Sequence, residues 1–131
     1  FDEMLSLQGN TAVYLLYAHA RINSIFTKSG KDPLELLAQG KRVDIQHEAE
    51  ANLAKHINKF PEAVEAALNE LAPNRITDYL YDLSGVFNQF YTECKVVGSP
   101  EEDSRLLLAF SAALVMRQCF ALLGITPLFR I

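Results

Sequence analysis

Apolar residues recur along this chain at intervals of three and four, the period of a helix with one buried face. Near the start, Val13, Leu16 and Ala20 and, beside them, Leu15, Ala18, Ile22 and Ile25 keep that spacing until Gly30 ends the run. Asn10 or Thr11 is the expected cap of this helix, so residues 1–8, FDEMLSLQ, read as the end of a preceding one. Asp32 followed by Pro33 predicts a short capped helix through LELLAQ to Gly40. An amphipathic segment follows from about Ile45 to Lys59, and Pro61 opens another through EAVEAALNEL, which Pro73-Asn74 breaks. The clearest period runs from Arg75 to about Lys95, where Ile76, Leu80, Leu83, Phe87, Phe90 and Cys94 form a single stripe. After the loop VVGSPEED, with Ser99 as cap and Pro100 at the first position, a last helix runs to Gly124 and a short tail, ITPLFRI, closes the sequence.

No strand pattern longer than a few residues, hairpin dipeptide, internal repeat or low-complexity segment interrupts this series. The expected fold class is all-α, an antiparallel bundle of five or six helices joined by short connectors. Residues 106–125, LLLAFSAALVMRQCFALLGI, are long and apolar enough to suggest a membrane span. Arg117 and Gln118 inside the run, and the lack of aromatic or basic belts at both ends, favour a helix at the bundle's centre instead. Buried there, Arg117 is expected to pair with a carboxylate of a neighbouring helix, because an unpaired buried guanidinium is costly.

With 131 residues, the chain is read as a single domain, 1–131, with one core. The absence of an initiator methionine suggests a piece of something longer, with residues 1–8 continuing from a preceding domain. A net charge of −4 argues against a generally basic nucleic-acid binder and against DNA, so any nucleic-acid contact must be local. Two cysteines, Cys94 and Cys119, form no disulfide framework or zinc knuckle and favour a reducing compartment.

Catalytic chemistry finds little support. The histidines at 19, 47 and 56 lack metal-ligand spacing, and His19 reads as a partly buried helix residue. The glycines form no phosphate-cradling loop, so neither catalytic residues nor a metal or cofactor site is expected in this stretch. Glu48, Glu50, Glu101, Glu102 and Asp103 read as charges at helix starts or on wet faces.

A polar-aromatic pattern remains. At about 100° per residue, Tyr14, Tyr17, Arg21, Ser24 and Lys28 fall in a stripe roughly 80° wide, apart from the true aliphatics. A second stripe, Tyr81, Ser84, Asn88, Tyr91 and Lys95, lies beside the apolar one on the helix from Arg75. Phenol rings next to planar and point cations suit unstacked bases and their phosphates. Packing at a core edge, with snorkelling cations, and docking of a partner helix are the other uses of such faces. Whether the two helices adjoin does not follow from the pattern.

The stretches GNTAVYLLYAHARINSI, YLYDLSGVFNQFY and SRLLLAFSAALVMRQCFALLGITPLFRI resemble the C-terminal anticodon-binding (DALR) domain of arginyl-tRNA synthetase, a class I enzyme. The resemblance implies an all-helical module that grips the anticodon loop of tRNA for arginine. By it, Tyr14, Tyr17, Arg21 and Tyr91 would receive anticodon bases or phosphate, Lys95 would reach a phosphate where relatives can carry an aromatic residue, and terminal Ile131, where many relatives end in methionine, would lie close by. It also implies a catalytic domain elsewhere in a longer chain, using ATP and Mg to attach arginine, in the cytoplasm or an organelle. The signatures of that catalytic domain are absent here. A helical protein-interaction domain without an RNA role is the alternative.

Overall fold

A computed structural model describes the backbone of residues 2–124 and the side chains of residues 16–124. Six helices follow in order: α1 (Asp2–Ser29), α2 (Pro33–Ala38), α3 (Glu48–Asn58), α4 (Phe60–Glu70), α5 (Asn74–Glu93) and α6 (Glu102–Leu123). No strand is present among the described residues.

The termini of these helices follow local chemistry in most places. Gly30, at φ +67°, donates its N–H to the Phe26 carbonyl at 3.0 Å and stops α1. The Asp32 carboxylate accepts the Leu34 N–H at 3.0 Å ahead of Pro33, as its capping role requires. Nδ1 of His47 does the same for Ala49 at the start of α3. Two boundaries, the starts of α1 and α6, depart from the sequence pattern, while the end of α4 keeps it through an unusual residue. Helix α1 runs unbroken through Gly9-Asn10-Thr11, so the expected cap lies inside the helix and residues 2–8 belong to it. Helix α4 ends at Leu71, which takes the left-handed conformation without being glycine. Helix α6 begins at Glu102, because Ser99 bonds backward through Oγ to the Val96 carbonyl at 2.8 Å, and no side chain caps the first turn.

Helices α5 and α6 share the hub. Helix α5 packs against α1, α3, α4 and α6, and α6 packs against α1, α2, α3 and α5. The stripe Ile76, Leu80, Leu83, Phe87 and Phe90 is buried throughout, facing Ile22, Leu53, Leu106, Met116 and Phe120 in one core. Burial of so many large apolar side chains is the main stabilising term. The run on α6 is therefore explained by packing, but only in part: Leu114, Arg117, Gln118, Ala121 and Leu122 lie on an exposed side. Arg117 is consequently not the buried, paired guanidinium that its apolar surroundings suggest, and it forms no ion pair with a carboxylate among the described residues.

Glu50 departs in the opposite sense. It stands in the first turn of α3, one of its two expected places, but is fully buried at the α3–α6 contact, where it accepts a bond from Arg105 Nε at 3.2 Å. His56 and Tyr79 join α3 to α5, their rings stacked with centroids 4.6 Å apart, while Tyr79 donates its hydroxyl to the His56 carbonyl at 2.6 Å. That pair and the approach of His47 to Glu93 at 4.0 Å make α3 and α5 antiparallel.

Candidate nucleic-acid interface

Helices α1 and α5 are far apart in sequence but meet side by side and parallel. Arg21 Nη1 donates to Asn88 Oδ1 at 2.6 Å, and its guanidinium carbon lies 5.1 Å from the centre of the Tyr91 ring. Ser24 and Lys28, further along α1, face Tyr91 and Lys95 across a hollow of about 260 Å³. Later residues on one helix meet later residues on the other, so the two stripes, which share a 3-4-3-4 spacing, come together in register. The pairing that the pattern could not decide is thus settled by the packing.

The hollow has a composition suited to a nucleotide. Ile25 and Val97 supply apolar lining, Tyr91 a ring, and Lys28 and Lys95 two exposed ammonium groups. Tyr17, one turn before Arg21 on α1, is 64% exposed. Among the described residues, none of Arg21, Lys28 and Lys95 forms an ion pair, whereas Lys31 and Arg105 are tied to carboxylates elsewhere. Three uncompensated cations within one seam make a local positive surface on a molecule of net charge −4.

Each residue reaches the seam for a local reason. Tyr17, Arg21, Ser24 and Lys28 are held by the helical period of α1, whose other side buries Ala18, Ile22 and Ile25. Tyr91 is half-buried against Phe87, ring centroids 6.4 Å apart. Lys95 arrives differently, because α5 ends at Glu93 and Cys94 is extended, with φ −118° and ψ 108°. Cys94 and Val96 turn inward and Lys95 outward, the alternation of extended chain. Burial pushes the Cys94 thiol above its usual range, leaving it a poor nucleophile.

Ser84 does not join the surface: it is fully buried, and its hydroxyl has no hydrogen-bond partner among the described residues. Tyr81 is exposed. The side chain of Tyr14 and all of Ile131 lie outside the described residues. Asn88, Ser24 and Lys28 belong to the stripes, but their spacing alone does not distinguish them as site residues. Only the meeting of the helices brings Ser24 and Lys28 to the hollow and Asn88 to Arg21. Among the described residues, no group of three or more His, Cys, Asp or Glu side chains could hold a metal ion.

The described residues thus form an all-helical bundle with a basic, aromatic seam between α1 and α5. A family model of the DALR anticodon binding domain matches residues 15–131, and the chain belongs to that family. It is 56% identical over 131 residues to the chloroplastic/mitochondrial arginine–tRNA ligase of Arabidopsis thaliana, covering all of this chain and 20% of the relative. Its likeness to the cytoplasmic arginine–tRNA ligase of the same plant is 55% over 131 residues, covering all of this chain and 22% of that protein. A crystal structure assigned as an arginyl-tRNA synthetase from Campylobacter jejuni superposes with a TM-score of 0.84 at 32% identity, over 93% of this chain and 27% of that one. The chain therefore spans about a fifth of the length of the curated relatives it matches.

Proposed function

We propose that this chain is the anticodon-recognition module of an arginine–tRNA ligase. It holds the anticodon stem-loop of tRNA for arginine, while a catalytic domain elsewhere in a longer chain uses ATP and Mg to join arginine to the tRNA. The compartment is the cytoplasm or an organelle, as for the two plant relatives named above. The observation that carries the reading is the convergence of Lys28, Tyr91 and Lys95 on one hollow, with Arg21 over the Tyr91 ring and exposed Tyr17 one turn before Arg21 on α1.

In this reading Tyr17 and Tyr91 stack on unstacked anticodon bases, and Lys28 and Lys95 meet backbone phosphates. Arg21, already bonded to Asn88, steadies the Tyr91 ring and offers its remaining donors to a phosphate or a base edge. Tyr14, one turn before Tyr17 on α1, and terminal Ile131 are assigned to the same site by the family resemblance.

The test is a titration of the full-length protein carrying this domain with the anticodon stem-loop of an arginine tRNA and with an unrelated stem-loop, at two salt concentrations. The arginine stem-loop should bind more tightly, with affinity falling as salt rises by about 0.7 in log–log slope per phosphate neutralised. Equal binding of the two stem-loops overturns the reading.

A further inference from the structure

Glu50 and Arg105 form an ion pair that the packing of the bundle does not explain. Glu50 is fully buried, and the Arg105 side chain is only 11% exposed. One carboxylate oxygen of Glu50 accepts the Gln46 N–H at 2.9 Å and the other accepts Arg105 Nε at 3.2 Å. The guanidinium then reaches onward, Nη1 donating to the Lys95 carbonyl at 2.6 Å.

A buried pair of this kind is a poor stabiliser, since removing both ions from water costs about as much as their attraction recovers, and apolar residues of similar volume often serve as well. What an apolar pair cannot do is grip a backbone carbonyl. The carbonyl gripped here lies just past the end of α5, where the helical ladder has stopped. It belongs to the extended segment that carries Lys95 outward and lines the hollow with Val97.

Resting on the anticodon reading above, we propose that Glu50 and Arg105 are positioning residues for the RNA-facing rim. They fix the backbone of residues 95–97, and with it the Lys95 ammonium, where it meets a phosphate of the bound strand. Glu50 orients the guanidinium, and the planar fork of Arg105 joins the carboxylate to the carbonyl, a geometry that a lysine cannot reproduce.

The experiment compares the full-length protein with its E50M/R105M, R105K and K95M variants and with the triple variant. Melting of E50M/R105M should stay within a few degrees of the parent, while its affinity for the arginine anticodon stem-loop falls about three- to tenfold. K95M should weaken binding and lower the salt slope by about 0.7 in the parent, yet add nothing in the E50M/R105M background. R105K should reproduce the loss of affinity, and it decides the matter if the double variant does not fold. Parent-like affinity of a folded E50M/R105M or R105K protein, or an equal cost of K95M in both backgrounds, overturns the proposal. Failure of the unaltered protein to bind the stem-loop rejects the anticodon reading instead. The positional claim is then judged by amide hydrogen exchange at residues 95–98, which must be faster in E50M/R105M than in the parent for the claim to stand.

Discussion

Tyr79 and Tyr91 stand on the same helix and have opposite fates. The ring of Tyr79 lies flat on His56, Phe60 flanks it, and its hydroxyl is spent on the His56 carbonyl. Burial pushes its phenol far above the ordinary range. Tyr91 is covered by Arg21 and Phe87, but its ring also borders the open hollow between two lysines. Residue type and helical period do not separate the two. The difference lies in whether the protein has already occupied the ring and its hydroxyl.

That contrast can be broken by truncation. Tyr79→Ala should cost about 3 to 5 kcal/mol of stability, as for other buried aromatic truncations, and leave the affinity of the remaining folded molecules unchanged. Chemical denaturation with a parallel binding isotherm checks both halves. Tyr91→Ala should instead remove about 1 to 3 kcal/mol of binding to the arginine stem-loop, the usual value of one base stack, with a smaller loss of stability. Tyr17→Ala, at an exposed position, should behave like Tyr91→Ala in binding and hardly change melting. If Tyr91→Ala binds normally and only melts earlier, the two tyrosines are alike after all.

The same inside-outside division holds on α1, where Tyr17 is exposed and His19 fully buried. Burial, and then the nearby charge of Arg117, hold the His19 imidazole below its ordinary value of 6.5. The folded state therefore prefers the neutral ring, and the unfolded chain takes up the proton first as pH falls. Stability from this group is fully present above pH 6.5 and declines below it toward the lowered folded value, with a slope of up to about 1.4 kcal/mol per pH unit. Urea denaturation at pH 7.5 and 5.5 should show the decline, and His19→Gln should flatten it. An unchanged slope in that variant would assign the pH dependence to other groups.

Much of this was legible in the chain. The stripe from Ile76 to Phe90, the Asp32-Pro33 start and the Gly30 stop are local signals, read by the backbone within a turn or two of where they occur. The faces of α1 were legible for the same reason, since Tyr17 and Arg21 leave the core wherever Ala18 and Ile22 enter it. The end of α4 was visible only through Pro73, because Leu71 took a conformation usually left to glycine. The burial of Glu50 and the exposure of Arg117 were not legible, because charge and local hydrophobicity say little about which neighbour arrives from a distant helix.

By itself, the sequence determined five or six helical segments, most of the residues that enter the core, and two polar-aromatic stripes of equal spacing. Local propensity and side-chain period settle such things before any long-range contact forms. Only the tertiary structure decided that α1 and α5 lie parallel and in register, that Arg21 covers Tyr91 beside Asn88, and that Glu50 is buried against Arg105. Those are contacts across 55 to 70 residues of chain, fixed by the shape in which the helices pack and by no periodicity within any one of them.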